Sequence, residues 1–146
     1  MQWDISAEEV YRAEWVIEGV LARCHRPGYP ANRPAQETIR AWADAVLELG
    51  IRSVVCVLDQ EQISRYGRLG LDGGGLLGYY RTLGLTVEHI LAEDYQTPPL
   101  SAEQLDRAWR AFQGLDKPVL VHCSAGRDRT GAAVAHIVSR LDGDAE

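Results

Sequence analysis

His122-Cys123-Ser124-Ala125-Gly126-Arg127-Asp128-Arg129-Thr130-Gly131 is the stretch on which the reading of this chain turns. The run before it, Val119-Leu120-Val121, is short and wholly apolar, as in a strand covered on both faces. After it, Ala132, Ala133, Ala135, His136, Ile137 and Val138 favour a helix from Asp128 onward. The decisive stretch is therefore a loop at the carboxyl end of a strand and the amino end of a helix. Open α/β sheets bind ligands there, and the orphan N–H groups and positive end of the helix make the loop an anion site. The same field favours a thiolate, so Cys123 is a candidate nucleophile. Arg129, six residues on, carries a planar guanidinium able to hold two phosphoryl oxygens at once, which lysine cannot do. Gly126 suits a tight loop whose backbone comes close to a bound phosphate. The Thr130 hydroxyl can hydrogen-bond the thiolate and stabilise it as a leaving group. His122 is expected to order the loop rather than act as a base.

Outward from the loop, the chain alternates between the two periods. Ile39, Trp42, Ala43, Val46 and Leu47 fall at helical spacing, with Gly50 as the stop. Ile51 to Leu58 reads as a buried strand, 60–66 as a helical turn, Leu76 to Leu83 as a short helix and Leu85 to Ile90 as a strand. Ser101-Ala102-Glu103-Gln104 fits a capping box for a helix that runs to Gly114. Trp15–Ile17 and Val20–Ala22 suggest two short strands around a turn, and the proline-rich 26–34 a loop. Ser6-Ala7-Glu8-Glu9 fits a capped turn within an otherwise irregular start. The expectation is an α/β fold with a central, mostly parallel twisted sheet flanked by helices, and 146 residues are the size of one domain, 1–146. Asp72-Gly73-Gly74-Gly75 lacks the Gly-Lys-Ser/Thr of a nucleotide loop and reads as a turn.

Composition narrows the function classes. A net charge of −6 gives nucleic acid or an anionic membrane no support as partner. No segment has the roughly 18–20 apolar residues of a membrane span, and the start Met1-Gln2-Trp3-Asp4 is not a signal peptide, so a cytoplasmic monomer is expected. Three cysteines without a CxxC pair point to reduced thiols rather than disulfides or zinc. No metal or cofactor is expected.

The sequence resembles the protein tyrosine/dual-specificity phosphatase superfamily, whose signature HCxxGxxR followed by Ser or Thr stands here as His122 to Thr130. The resemblance spans roughly residues 13–141, with its specific part in that loop. It implies phosphoryl transfer to Cys123, substrate contacts from His122, Ser124, Ala125, Gly126, Arg127 and Asp128, and a general acid on a loop about thirty residues upstream. Asp94 in Glu93-Asp94-Tyr95-Gln96-Thr97-Pro98-Pro99, twenty-nine residues before Cys123, fits that acid, with Glu93 as bystander. Asp128 is the second candidate, because the Ala-Gly-Arg-Asp-Arg-Thr run is similar to bacterial phosphatases active on phosphotyrosine and phosphoinositides. The implied substrates are phosphorylated proteins or small phosphomonoesters. Arg127 is either solvated or a contact for a second anionic group. Arg23, Arg26 and Arg33 are expected to be solvated, with a rim position as the alternative. The resemblance also implies a reversible disulfide between Cys56 and Cys123, with buried thiol as the default for Cys56 and for Cys24. Most members of the superfamily continue with one or two further helices, so a minimal version or a truncated chain is implied. Two other classes compete: an idle phosphate-binding module, disfavoured by the presence of Cys123, Arg129 and Asp94 together, and rhodanese- or arsenate-reductase-like chemistry, disfavoured by the Cys-to-Arg spacing.

Overall fold

A computed structural model describes residues 13–144; the turn expected at Ser6–Glu9 lies outside them. Five strands, β1 (Glu14–Ile17), β2 (Leu21–Cys24), β3 (Ser53–Cys56), β4 (Thr86–His89) and β5 (Val119–His122), form one sheet in the order β1-β2-β5-β3-β4. β1 runs antiparallel to β2 and every other pairing is parallel, so the α/β expectation with a mostly parallel sheet holds. The helices are α1 (Gln36–Glu48), α2 (Gln60–Tyr66), α3 (Leu76–Thr82), α4 (Ala102–Gly114) and α5 (Asp128–Asp144). None is long and apolar enough to cross a membrane among the described residues.

The strands are shorter than their apolar runs because those runs continue, buried, into the connections: Ile51, Val57 and Leu58 flank β3 and are fully or almost fully buried. Alternate residues feed two core layers. Ala22, Val54, Cys56 and Leu120 pack with α1, α2 and α3, whereas Leu21, Val55, Val119 and Val121 pack with α4 and α5. α1 buries Ile39, Trp42, Ala43 and Val46 as its spacing predicts, but Leu47 is left 36% exposed at the end of the helix. Gly50 closes that end at φ +84, its N–H donating to Leu47 O at 2.9 Å, a conformation in which a Cβ is disfavoured.

This topology puts β5 at the centre of the sheet. Its last residue, His122, stands level with Cys24 on one side and Cys56 on the other. Everything that follows His122 therefore emerges from the middle of the carboxyl edge, between the ends of β2 and β3.

Candidate active site

The loop from Cys123 to Arg127 hangs between β5 and α5 and is fastened from both sides. His122 is fully buried; its Nδ1 donates to Cys123 O at 3.0 Å, which leaves Nε2 to accept from the Tyr80 hydroxyl at 2.7 Å. Trp42 meets the His122 ring edge-on, 5.8 Å between centroids, and stacks on Tyr80. Burial pushes the imidazole down to about 3, so it is neutral and orders the loop, as the sequence suggested. A stability consequence follows. Below about 6.5 the unfolded chain takes up a proton that folded His122 refuses. Stability present above that pH is thus lost as pH falls toward 3, by about 2 kcal/mol at pH 5. Urea unfolding at pH 7 and pH 5 should show a loss for wild type that exceeds that for His122→Asn by this amount, and equal losses would refute it.

Gly126 has φ +76, and a Cβ there would stand 2.5 Å from Cys24 O and 2.9 Å from His25 N. The expectation was close approach to phosphate; what demands glycine in the fold is close approach to the end of β2. Arg23 and Arg26 brace the loop from the same side, contrary to their expected solvation. Arg23 Nη2 donates to Gly126 O at 2.7 Å. Arg26, 4% exposed, donates through Nε to Ser124 Oγ at 3.1 Å and through its backbone N–H to Ser124 O at 2.9 Å. Arg33 is exposed, as expected. Among the described residues, the N–H groups of Ser124, Ala125, Gly126 and Arg127 find no protein acceptor.

Cys123 and Arg129 are 3% and 2% exposed and line one cavity of about 190 Å³ with Asp94, Ser124, Ala125, Arg127 and Asp128. Arg129 spends Nη1 on Gln62 Oε1 at 3.0 Å and Ala92 O at 2.8 Å. Nη2 lies 3.1 Å from Asp94 Oδ2 as an ion pair rather than an aligned hydrogen bond, and Nε has no protein partner. On the Nε–Nη2 edge, the one that grips oxyanions in bidentate fashion, Nε thus has no protein partner and Nη2 is held by the Asp94 ion pair. Thr130 is fully buried and its hydroxyl has no hydrogen-bond partner among the described residues. Arg127 and Asp128 are exposed at the start of α5. Glu93 is exposed and outside the cavity lining.

Asp94 sits on the long loop between β4 and α4, whose capping box forms as expected, Ser101 Oγ accepting from Gln104 N–H and Gln104 Oε1 from Ser101 N–H. Its Oδ1 accepts from the Tyr95 N–H at 3.1 Å, with Tyr95 at φ +60 and 91% exposed. Among the lining or supporting residues that sequence reasoning missed are Tyr29, Tyr95, Gln62 and Asp59. Asp59-Gln60-Glu61-Gln62 does carry a helix-start signal, and the capping box forms. A second cavity, of about 430 Å³, shares Tyr29, Asp94, Tyr95 and Ser124 with the first and extends to Asn32, Asp59 and Arg65.

The three cysteines are buried and none is in a disulfide. Cys56 packs in the layer of α1 and α3 and Cys123 in that of α4 and α5, while Cys56 stands level with His122, one residue before Cys123. Desolvation pushes the Cys56 thiol far up, the behaviour of a core thiol.

No curated protein matches the chain. Among solved structures it is similar to a crystal structure of Tk-PTP in a mutant form, with a TM-score of 0.60 and 23% identity over 90% of this chain and 73% of that one; at this identity the likeness speaks to the fold. The family model described as the DSP-PTPase phosphatase of polymorphic toxin systems matches residues 29–142, which takes in the Asp94 loop and the whole Cys123 loop but begins after Arg23 and Arg26. The chain belongs to that family and is a protein tyrosine/dual-specificity phosphatase-like enzyme.

Proposed function

We propose that the protein hydrolyses phosphomonoesters in two steps through a cysteinyl-phosphate on Cys123. The phosphoryl group enters the smaller cavity with its equatorial oxygens on the loop N–H groups and on the Nε–Nη2 edge of Arg129, which stabilise the transition state. Cys123 Sγ attacks phosphorus in line with the ester oxygen, the P–O bond breaks, and Asp94 delivers a proton to the departing alkoxide or phenolate. Water then attacks the thiophosphate. Asp94, now a carboxylate, takes its proton, and the S–P bond breaks to release inorganic phosphate and the thiolate. Thr130 is assigned to that second departure as hydrogen-bond donor to sulfur. Because Asp94 borders both cavities, the leaving group projects into the larger one. The substrates are phosphorylated proteins or small phosphomonoesters, acted on by a single domain working as a monomer in the cytoplasm.

The observation that carries this reading is the convergence on one cavity of a buried cysteine, a buried arginine whose Nε has no protein partner, and the carboxylate ion-paired to its Nη2. Hydrolysis of 4-nitrophenyl phosphate in the presence of EDTA tests it. Asp94→Asn is expected to lower kcat/KM by about 10²–10³-fold, and Asp128→Asn by less than about 10-fold, since Asp128 is exposed and makes no bond to Arg129. A deeper loss in Asp128→Asn would make Asp128 the acid. A wild type that binds phosphate without turnover would point to an idle binding module.

A further inference from the structure

Gln62, on α2, is 7% exposed and makes a closed ring with the two charged residues of the site. Its Oε1 accepts from Arg129 Nη1 at 3.0 Å and from the Asp59 N–H at 3.1 Å, while its Nε2 donates to Asp94 Oδ2 at 3.1 Å. The amide has one possible orientation: reversed, it would set N–H against a guanidinium and oxygen against a carboxylate. The capping box on Asp59 fixes the side chain that bridges them.

The ring has a second property. Asp94 Oδ2 faces Gln62 Nε2 and Arg129 Nη2 together. A phosphoryl oxygen that takes Nη2 displaces Asp94 from the arginine. What then still holds the carboxyl at the mouth of the cavity is Gln62 on Oδ2 and the Tyr95 N–H on Oδ1. Tyr95 belongs to the exposed loop and moves with Asp94, whereas Gln62 belongs to a helix.

We propose that Gln62 is a positioning residue for the general acid, acting through Asp94: it hands Asp94 over from Arg129 to the leaving oxygen when substrate binds. This rests on the assignment of Asp94 as the acid. An acid held in place matters most when the leaving group is a poor one, and a group that merely supports Arg129 or the fold affects all leaving groups alike.

The test compares kcat/KM for phenyl phosphate and 4-nitrophenyl phosphate in wild type, Gln62→Met, Gln62→Glu, Asp94→Asn and the Gln62→Met/Asp94→Asn double variant. Gln62→Met removes both arms of the bridge. Gln62→Glu keeps an acceptor for Arg129 but replaces the donor to Asp94 with a repelling oxygen. Both single variants are expected to lose about 10-fold more on phenyl phosphate than on 4-nitrophenyl phosphate, on the order of a positioned acid's contribution. Gln62→Glu is expected to keep vanadate inhibition within about 3-fold of wild type, since the phosphate-binding edge is untouched. In the double variant the added leaving-group dependence should vanish, as coupling through one group requires. Equal losses on both esters, or none, in the Gln62 variants beside a strong dependence in Asp94→Asn would overturn the role of Gln62 alone. No dependence in Asp94→Asn would overturn the acid assignment and this proposal with it.

Discussion

Cys123→Ser is expected to lower kcat/KM for 4-nitrophenyl phosphate by about 10⁴-fold or more, the scale on which loss of a covalent nucleophile is felt. A serine hydroxyl at neutral pH is not ionised, and the neighbouring His122 is not free to deprotonate it: both its ring nitrogens are engaged, one on the Cys123 carbonyl and one on Tyr80. The fold should be indifferent to the change. Sulfur to oxygen alters little volume, and the loop is fastened by Arg23, Arg26 and Gly126 rather than by the thiol. Inorganic phosphate should still bind, because Arg129 and the loop N–H groups are unchanged; calorimetric titration would read this directly. Inactivity with retained phosphate binding is the expected pair. Turnover within about 10-fold of wild type would remove Cys123 from the mechanism.

Arg129→Lys should cost about 10²–10³-fold in kcat/KM, the scale of removing a preorganised transition-state donor, and it should also destabilise the protein. The guanidinium does two jobs at once: Nη1 binds Gln62 Oε1 and Ala92 O inside the fold, and the Nε–Nη2 edge faces the substrate side. An ammonium is a point charge on a flexible stem and cannot do both. If it stays with Ala92 O and Gln62, the phosphoryl oxygens lose their fork. If it turns to phosphate, Ala92 O loses its donor, at about 1–3 kcal/mol, and Gln62 Oε1 is left with the Asp59 N–H alone. Steady-state kinetics and urea unfolding on the same variant measure the two losses. The exposed Arg127, changed to lysine, should show neither, and an Arg129→Lys enzyme as active as the Arg127→Lys one would remove Arg129 from phosphate binding.

The legible part of this molecule is local. The loop from His122 to Gly131 announces itself because strand, loop and helix follow one another without a gap, and α1 is legible from its spacing and glycine stop, α4 from its spacing and capping box. What sequence could not give depends on distant partners. Arg26 reads as a surface charge in a proline-rich loop, yet it reaches Ser124, 98 residues away. Gln62 meets Arg129 across 67 residues and Asp94 across 32. Such contacts follow from the order of strands, which brings β2 and β3 against β5, and no periodicity encodes that order. Gly126 was legible as a required glycine but not for its reason, because the backbone it meets belongs to another strand.

The strand order also divides the enzyme into a fixed half and a loose half. Cys123 follows directly on β5, which is laced to a neighbour on each side, and Arg129 sits in the first turn of α5 just beyond, whereas the loop that bears Asp94 leaves β4, an edge strand with one neighbour. Segments with few backbone partners open first, at a free energy well below that of global unfolding. Breathing of the native state therefore falls on the Asp94 side of the site while Cys123 stays seated. The two steps proposed above would be served by this asymmetry: a phosphoryl group must find sulfur and guanidinium at a constant separation, while the carboxyl has to let a leaving group out and a water in.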